Sequence, residues 1–211
     1  YGFLMYQTAY LKANYPVEYM CCLLSTVIGK EDQFISYLRE TKRMGIHVMP
    51  PCVNKSQESF SVESDTRIRY GLLGIKGLSS AAEQILTARA SGEFVSFYDF
   101  LERVKLHSGV LKALAMSGAL DCFGFTRKTL VEKVDGKIAE KVAKVLKERE
   151  QGQMDMFADE GEALIYGQIK DVAEFPEKEM LAEEKRLLGA YLAKHPIDKY
   201  KAFVSKIGDL K

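Results

Sequence analysis

Apolar residues recur at the three-and-four spacing of an amphipathic helix over residues 17–28, where Val17, Met20, Cys21, Leu24, Val27 and Ile28 share one face. Pro16 fits the first turn of that helix, where a missing N–H costs nothing. A helix over Tyr1 to Ala13, rich in Phe and Tyr, is expected before it, and another near Asp32 to Met44 stops at Gly45. The stretch "HVMPPCVNKS" reads as irregular, because Pro50-Pro51 blocks both a helix and a central strand. In "SFSVESDTRIRYGLL", Phe60 and Val62 alternate on one side of Ser64-Asp65-Thr66, and Ile68 and Tyr70 on the other. That is the pattern of a short β-hairpin. Short helices follow at about 79–90, 97–106, 108–117 and 126–149, and Pro176 and Pro196 open two more, roughly 177–193 and 196–205. The predicted fold class is mainly α with one short β-hairpin.

Two glycine turns inside this helical run have chemical content. In "LLGIKGLSSAAEQILTAR", Gly77 interrupts an apolar stretch, and Ser79 and Ser80 are good residues to begin a helix. A short helix, a glycine turn and a second helix leave unpaired backbone N–H groups at the start of the second helix, which attract an anion. Lys76, Gly77, Leu78, Ser79 and Ser80 are therefore candidate phosphate contacts, with Arg67 and Arg69 as flanking candidates. About forty residues on, "VLKALAMSGALDCFG" repeats the plan, with Gly118 in its turn. The pair looks like a tandem helix-hairpin-helix module, which binds duplex DNA through the backbone without reading bases. Ordinary helix C-caps would account for both glycines equally well. Lys133, Lys137, Lys141 and Lys144 recur at helical spacing, but Glu132, Glu140 and Glu148 are interleaved, so a solvated, salt-bridged face is expected.

Charge changes the picture near residue 150. Net charge is +1 over 211 residues, yet residues 151–184 alone sum to −8, against +4 before them and +5 after. A block this acidic, with Gly152, Gly161 and Gly167, is expected to be an exposed connector. At its start stands "QGQMDMF", two methionines and a phenylalanine in surroundings too polar to bury them. Such a segment is expected to borrow a pocket from another protein.

The chemistry that is missing narrows the function classes. Clustered carboxylates for two-metal phosphoryl transfer are absent, since Glu63-x-Asp65 falls in the predicted hairpin turn. There is no phosphate-binding P-loop, no G-x-S-x-G and no plausible Cys/His pair, so no catalytic residue is assigned. His47, His107 and His195 are expected in polar surface roles. Asp99 lies about twenty residues after the first hairpin, as in some hairpin-containing DNA glycosylases, without their lysine or aromatic pocket. Cys21, Cys22, Cys52 and Cys122 lack metal-ligand spacing and read as reduced, buried thiols, with no metal site. No apolar run approaches twenty residues and no secretory signal is present, so a cytoplasmic protein without membrane contact is expected. Tyr1, already inside a helix, suggests a piece of a longer polypeptide.

Several segments, in order, resemble the bacterial replicative DNA polymerase III alpha subunits, members of the C-family DNA polymerases. "YQTAYLKANYPVEYMCCLLS" and "RMGIHVMPPCVNKS" are similar to the end of their fingers region. "YGLLGIKGLS" and "LAMSGALDCFG" resemble their two hairpins, and "LLGAYLAKHPIDKY" the signature ahead of an OB-type domain. "QMDMF" (Gln153, Met154, Asp155, Met156, Phe157) resembles their sliding-clamp-binding pentapeptide. The resemblance implies the end of the fingers over 1–57, a tandem helix-hairpin-helix domain over 58–150, an acidic connector with the pentapeptide over 151–175, and a helical segment leading to an OB-type domain over 176–211. It implies sequence-independent duplex DNA, the sliding clamp (beta subunit) and other holoenzyme subunits as partners. Template-directed synthesis and its Mg²⁺ belong to the whole subunit, whose catalytic carboxylates lie upstream, so this stretch should bind without polymerising. A DNA-repair enzyme on the same hairpins, or a purely structural helical spacer, are the alternative readings.

Overall fold

A computed structural model describes residues 1–150 and 171–192. The chain is mainly α. Helices α1 (Gly2–Asn14), α2 (Pro16–Thr26) and α3 (Glu31–Arg43) come first. Pro16 does occupy the first turn of α2, and Val17, Met20, Cys21 and Leu24 form its buried face. Strands β1 (His47–Met49), β2 (Ser61–Ser64) and β3 (Arg67–Arg69) follow. Then come α4 (Ser79–Arg89), α5 (Phe97–Arg103), α6 (Ser108–Met116), α7 (Arg127–Asp135), α8 (Ile138–Glu150) and α9 (Glu177–Leu188). The helix expected at 196–205 lies outside the described residues.

The predicted hairpin forms, but a strand that sequence reasoning left irregular joins it. β3 is central, pairing antiparallel with β2 and parallel with β1, with Val48 opposite Ile68. β1 is only three residues long and ends before Pro50-Pro51, so the prolines end the strand rather than exclude it. The boundary expected between 57 and 58 therefore falls within one sheet, and the core ignores it too. Phe34 of α3 packs with Phe60 and Tyr70, whose rings stand 4.7 Å apart edge to face.

The loop after β1 works as a hub. Ser56 Oγ accepts from Cys52 N–H at 2.9 Å and donates to Tyr70 O at 2.7 Å. Arg89 Nη1 donates to the carbonyls of Val53 and Ser56, and the Asn54 amide both donates to and accepts from the backbone of Phe94. These bonds bind the loop to α4 and to the approach to α5. The proposed 126–149 helix is two helices, α7 and α8, broken at Gly136 and at Lys137, whose φ of 58° is left-handed. That break separates Lys133 from Lys141, so the lysine stripe is not one continuous face.

Helix α1 stands apart from this core. It buries none of its residues, and Phe3, Leu4, Met5 and Tyr6 are more than half exposed. Among the described residues its side-chain bond to the rest is Lys12 Nζ to Glu40 at 2.8 Å. No helix among the described residues is long and apolar enough to cross a membrane.

Candidate nucleic-acid interface

The first hairpin is built on a single 3-10 turn, Leu72–Gly74, and not a full helix. Leu72, Ile75 and Leu78 are buried and anchor it from below. Leu72 N–H and Leu73 N–H bond back to Gln57 O and Glu58 O at 2.9 and 3.0 Å. Gly77 then takes a φ of +91°, which an L side chain adopts only with strain. α4 starts at Ser79 without a side-chain cap. The N–H groups of Gly77, Ser79 and Ser80 find no protein acceptor among the described residues. They are exposed, with Lys76, while the Leu78 side chain points into the core. This arrangement leaves exposed N–H groups and a lysine together at the positive end of a helix.

Lys76 Nζ lies 3.4 Å from Glu31 Oε2, with both side chains about half exposed. Such an exposed surface pair is worth little. The turn itself is held by a contact that sequence reasoning missed. Lys76 N–H donates to Leu187 O at 2.9 Å, and the buried Tyr70 hydroxyl donates to Leu188 O at 2.9 Å and Gly74 O at 3.0 Å. Burial pushes the Tyr70 phenol well above its ordinary pKa, so it remains a donor. The end of α9 thus buttresses the hairpin. The "LLG" at 187–189 was its one trace in the sequence, with Gly189 left-handed at the helix end.

The second hairpin differs. Gly118 is also left-handed, at φ +82°, but it is buried and its N–H is spent on Ala115 O at 3.1 Å. The Arg127 guanidinium lies over it, donating to Met116 O at 3.1 Å and to Asp121 Oδ2 at 2.8 Å. The start of α7 is filled by the protein's own acids. Glu174 accepts from Arg127 N–H at 2.8 Å and Lys128 N–H at 3.1 Å. Asp171 Oδ1 accepts from Thr126 N–H and from the Thr129 hydroxyl, and these bonds hold its carboxyl below the usual carboxylate range. Gly118 therefore offers no open phosphate contact in this structure.

Arg69, a flanking candidate, is turned inward. It is buried, clasped by both oxygens of Glu63 at 2.5 and 2.6 Å, and donates to Pro50 O at 2.8 Å. Arg67 remains exposed on β3. Asp99 belongs to the start of α5. Ser96 Oγ accepts from Asp99 N–H, Asp99 accepts in return from Val95 N–H, and Arg103 pairs with Asp99 at 3.2 Å. No group of acids, histidines or cysteines suited to a metal ion occurs among the described residues. The pentapeptide Gln153–Phe157 lies outside the described residues.

A family model described as "Helix-hairpin-helix motif" matches residues 45–130, which include β1 and both hairpins. A curated relative, DNA polymerase III subunit alpha of Bacillus subtilis (strain 168), is 39% identical over 205 residues, covering 95% of this chain and 18% of the relative. The same subunit of Campylobacter jejuni is 35% identical over all of this chain and 18% of its own length. That of Neisseria meningitidis serogroup B is 34% identical, again over the whole chain and 19% of the relative. The chain thus spans a little under a fifth of the length of these relatives.

Proposed function

The chain belongs to the DNA polymerase III alpha-subunit family, and on that basis we propose that it serves such a subunit as a non-catalytic grip. It binds duplex DNA through the backbone, behind the polymerase centre, and tethers the subunit to its sliding clamp. Other holoenzyme subunits and the cytoplasm complete that setting. The Mg²⁺-dependent chemistry belongs to the remainder of the subunit, and this stretch alone does not extend a primer.

The observation that carries the DNA reading is the first hairpin. Three N–H groups without a protein acceptor among the described residues open beside Lys76 at the N-terminus of α4. A phosphate there gains hydrogen bonds and the helix dipole, and no base edge is in reach of so small a contact. The second hairpin, filled by Arg127, Asp171 and Glu174, adds no comparable opening. The clamp reading rests on the pentapeptide's sequence: Gln153 orients by hydrogen bonds, and Met156 and Phe157 fill an apolar pocket. The aromatic face of α1 suits contact with the fingers region of the same subunit.

Fluorescence anisotropy with short duplexes tests the DNA reading. Binding should be weak, indifferent to sequence and steeply salt-dependent. Lys76→Glu should weaken it for every sequence alike, because it places a negative charge at the phosphate. Unchanged affinity at low salt would show that the first hairpin is not the contact.

A further inference from the structure

A helix leaves its last carbonyls without partners of its own. At the end of α9 the first hairpin supplies them, since Leu187 O accepts the Lys76 N–H at 2.9 Å and Leu188 O accepts the Tyr70 hydroxyl at 2.9 Å. A hydroxyl has a single proton to give, and Gly74 O shares this one at 3.0 Å. One O–H therefore holds a carbonyl of the hairpin turn and a carbonyl of α9 to the same point. The Tyr70 ring also lies against the turn, because a Cβ added at Gly74 would fall 2.5 Å from the ring. Tyr70 is a fixed post for both, its N–H bonded to Met49 O at 3.0 Å and its carbonyl to Ser56 Oγ at 2.7 Å. The two ties enter the chain at Gly74 and Lys76, immediately before Gly77, Ser79 and Ser80, whose N–H groups have no protein acceptor among the described residues.

We propose that Tyr70 is a positioning residue for the phosphate contact, through which the docked end of α9 and a phosphate on the first hairpin stabilise each other. The inference rests on the DNA reading above and adds what sets the strength of that contact. Tyr70 is 2% exposed, so it acts through the turn and not by touching DNA. With α9 docked, Gly74 and Lys76 are held, and the N–H groups that follow are already arranged for a phosphate. Binding then pays little to order the turn. With the α9 end away, the Lys76 N–H loses its acceptor and the turn is free on that side. Linkage makes the effect mutual: a phosphate that prefers the held turn favours the docked helix end by the same factor.

Tyr70→Phe removes the one oxygen and keeps the ring against Gly74. In the free chain, exchange of the Lys76 amide measured by NMR should become several-fold faster, with the amides of α6 unchanged. Duplex affinity of the folded variant, by anisotropy at low salt, should fall about fivefold or more. Lys76→Ala and the double variant complete a cycle, and the two losses should be less than additive, because a displaced turn no longer presents Lys76. A merely structural tyrosine would lower the melting temperature and give additive losses. In the wild type, duplex should also slow exchange of the Gly189 amide, which bonds to Lys185 O at the end of α9, and in Tyr70→Phe it should not. An unchanged Lys76 amide in the free variant, wild-type duplex affinity, or additive losses would overturn the coupling and leave the DNA reading standing. A wild-type chain that binds no duplex would overturn both.

Discussion

Gly77 and Gly118 share a left-handed backbone and differ in everything around it. At Gly77 an added Cβ meets nothing within 4 Å, whereas at Gly118 it falls on the Arg127 guanidinium. Gly77→Ala should therefore cost only the strain of its φ, about 1 kcal/mol. Gly118→Ala should cost roughly 1–3 kcal/mol more, because Arg127 must leave a buried turn. Urea unfolding of the two variants measures the difference, and equal losses would mean that Arg127 does not fill the second turn. Both glycines were legible in the sequence as turn residues. Which of them is open was not, because that depends on Arg127, Asp171 and Glu174, which the chain brings back from a distance. Arg69 teaches the same lesson, since its inward turn depends on Glu63 across the β2–β3 pair.

At the scale of elements, periodicity located most helices to within a few residues, because amphipathic faces and proline starts are local signals. The failures have local causes too. β1 is too short to alternate, and its pairing is parallel to a strand that comes later. The break between α7 and α8 hides at Lys137, where a non-glycine residue takes the left-handed turn. For α1 the sequence showed a helix but not its isolation. That isolation makes the Lys12–Glu40 contact testable. Hydrogen bonds from Arg43 and Lys12 lower the Glu40 carboxyl from 4.5 to about 2. A depressed carboxylate stabilises above its unfolded pKa, and that contribution fades as pH falls from about 4.5 through about 2. Hydrogen-exchange protection in α1 should fall across that window, less so at high salt. In Glu40→Gln this acid-dependent step should be absent. A step of the same size in that variant would assign the tie to other residues.

On the scale of the whole molecule, the expected segments merge. α3 and β1 share a core and a sheet with the hairpin region, and the end of α9 holds the first hairpin through Tyr70 and Lys76. The acidic stretch is docked at its far end, where Asp171 and Glu174 sit on α7. A duplex contact and a pentapeptide contact on one chain raise each other's effective concentration, so two weak interactions can hold a polymerase that neither would hold alone. In the proposed function, Met156 and Phe157 are the anchors of that tether. Replacing both with alanine should cost ~2 kcal/mol or more for each side chain. Affinity for the clamp would then fall by well over tenfold. Folding should scarcely change, because anchors that reach for a partner's pocket contribute little to their own core. A clamp titration and a thermal melt on the same double variant read the two halves separately. Unchanged clamp affinity would remove the tether. A large drop in melting temperature would show instead that "QMDMF" packs on its own protein.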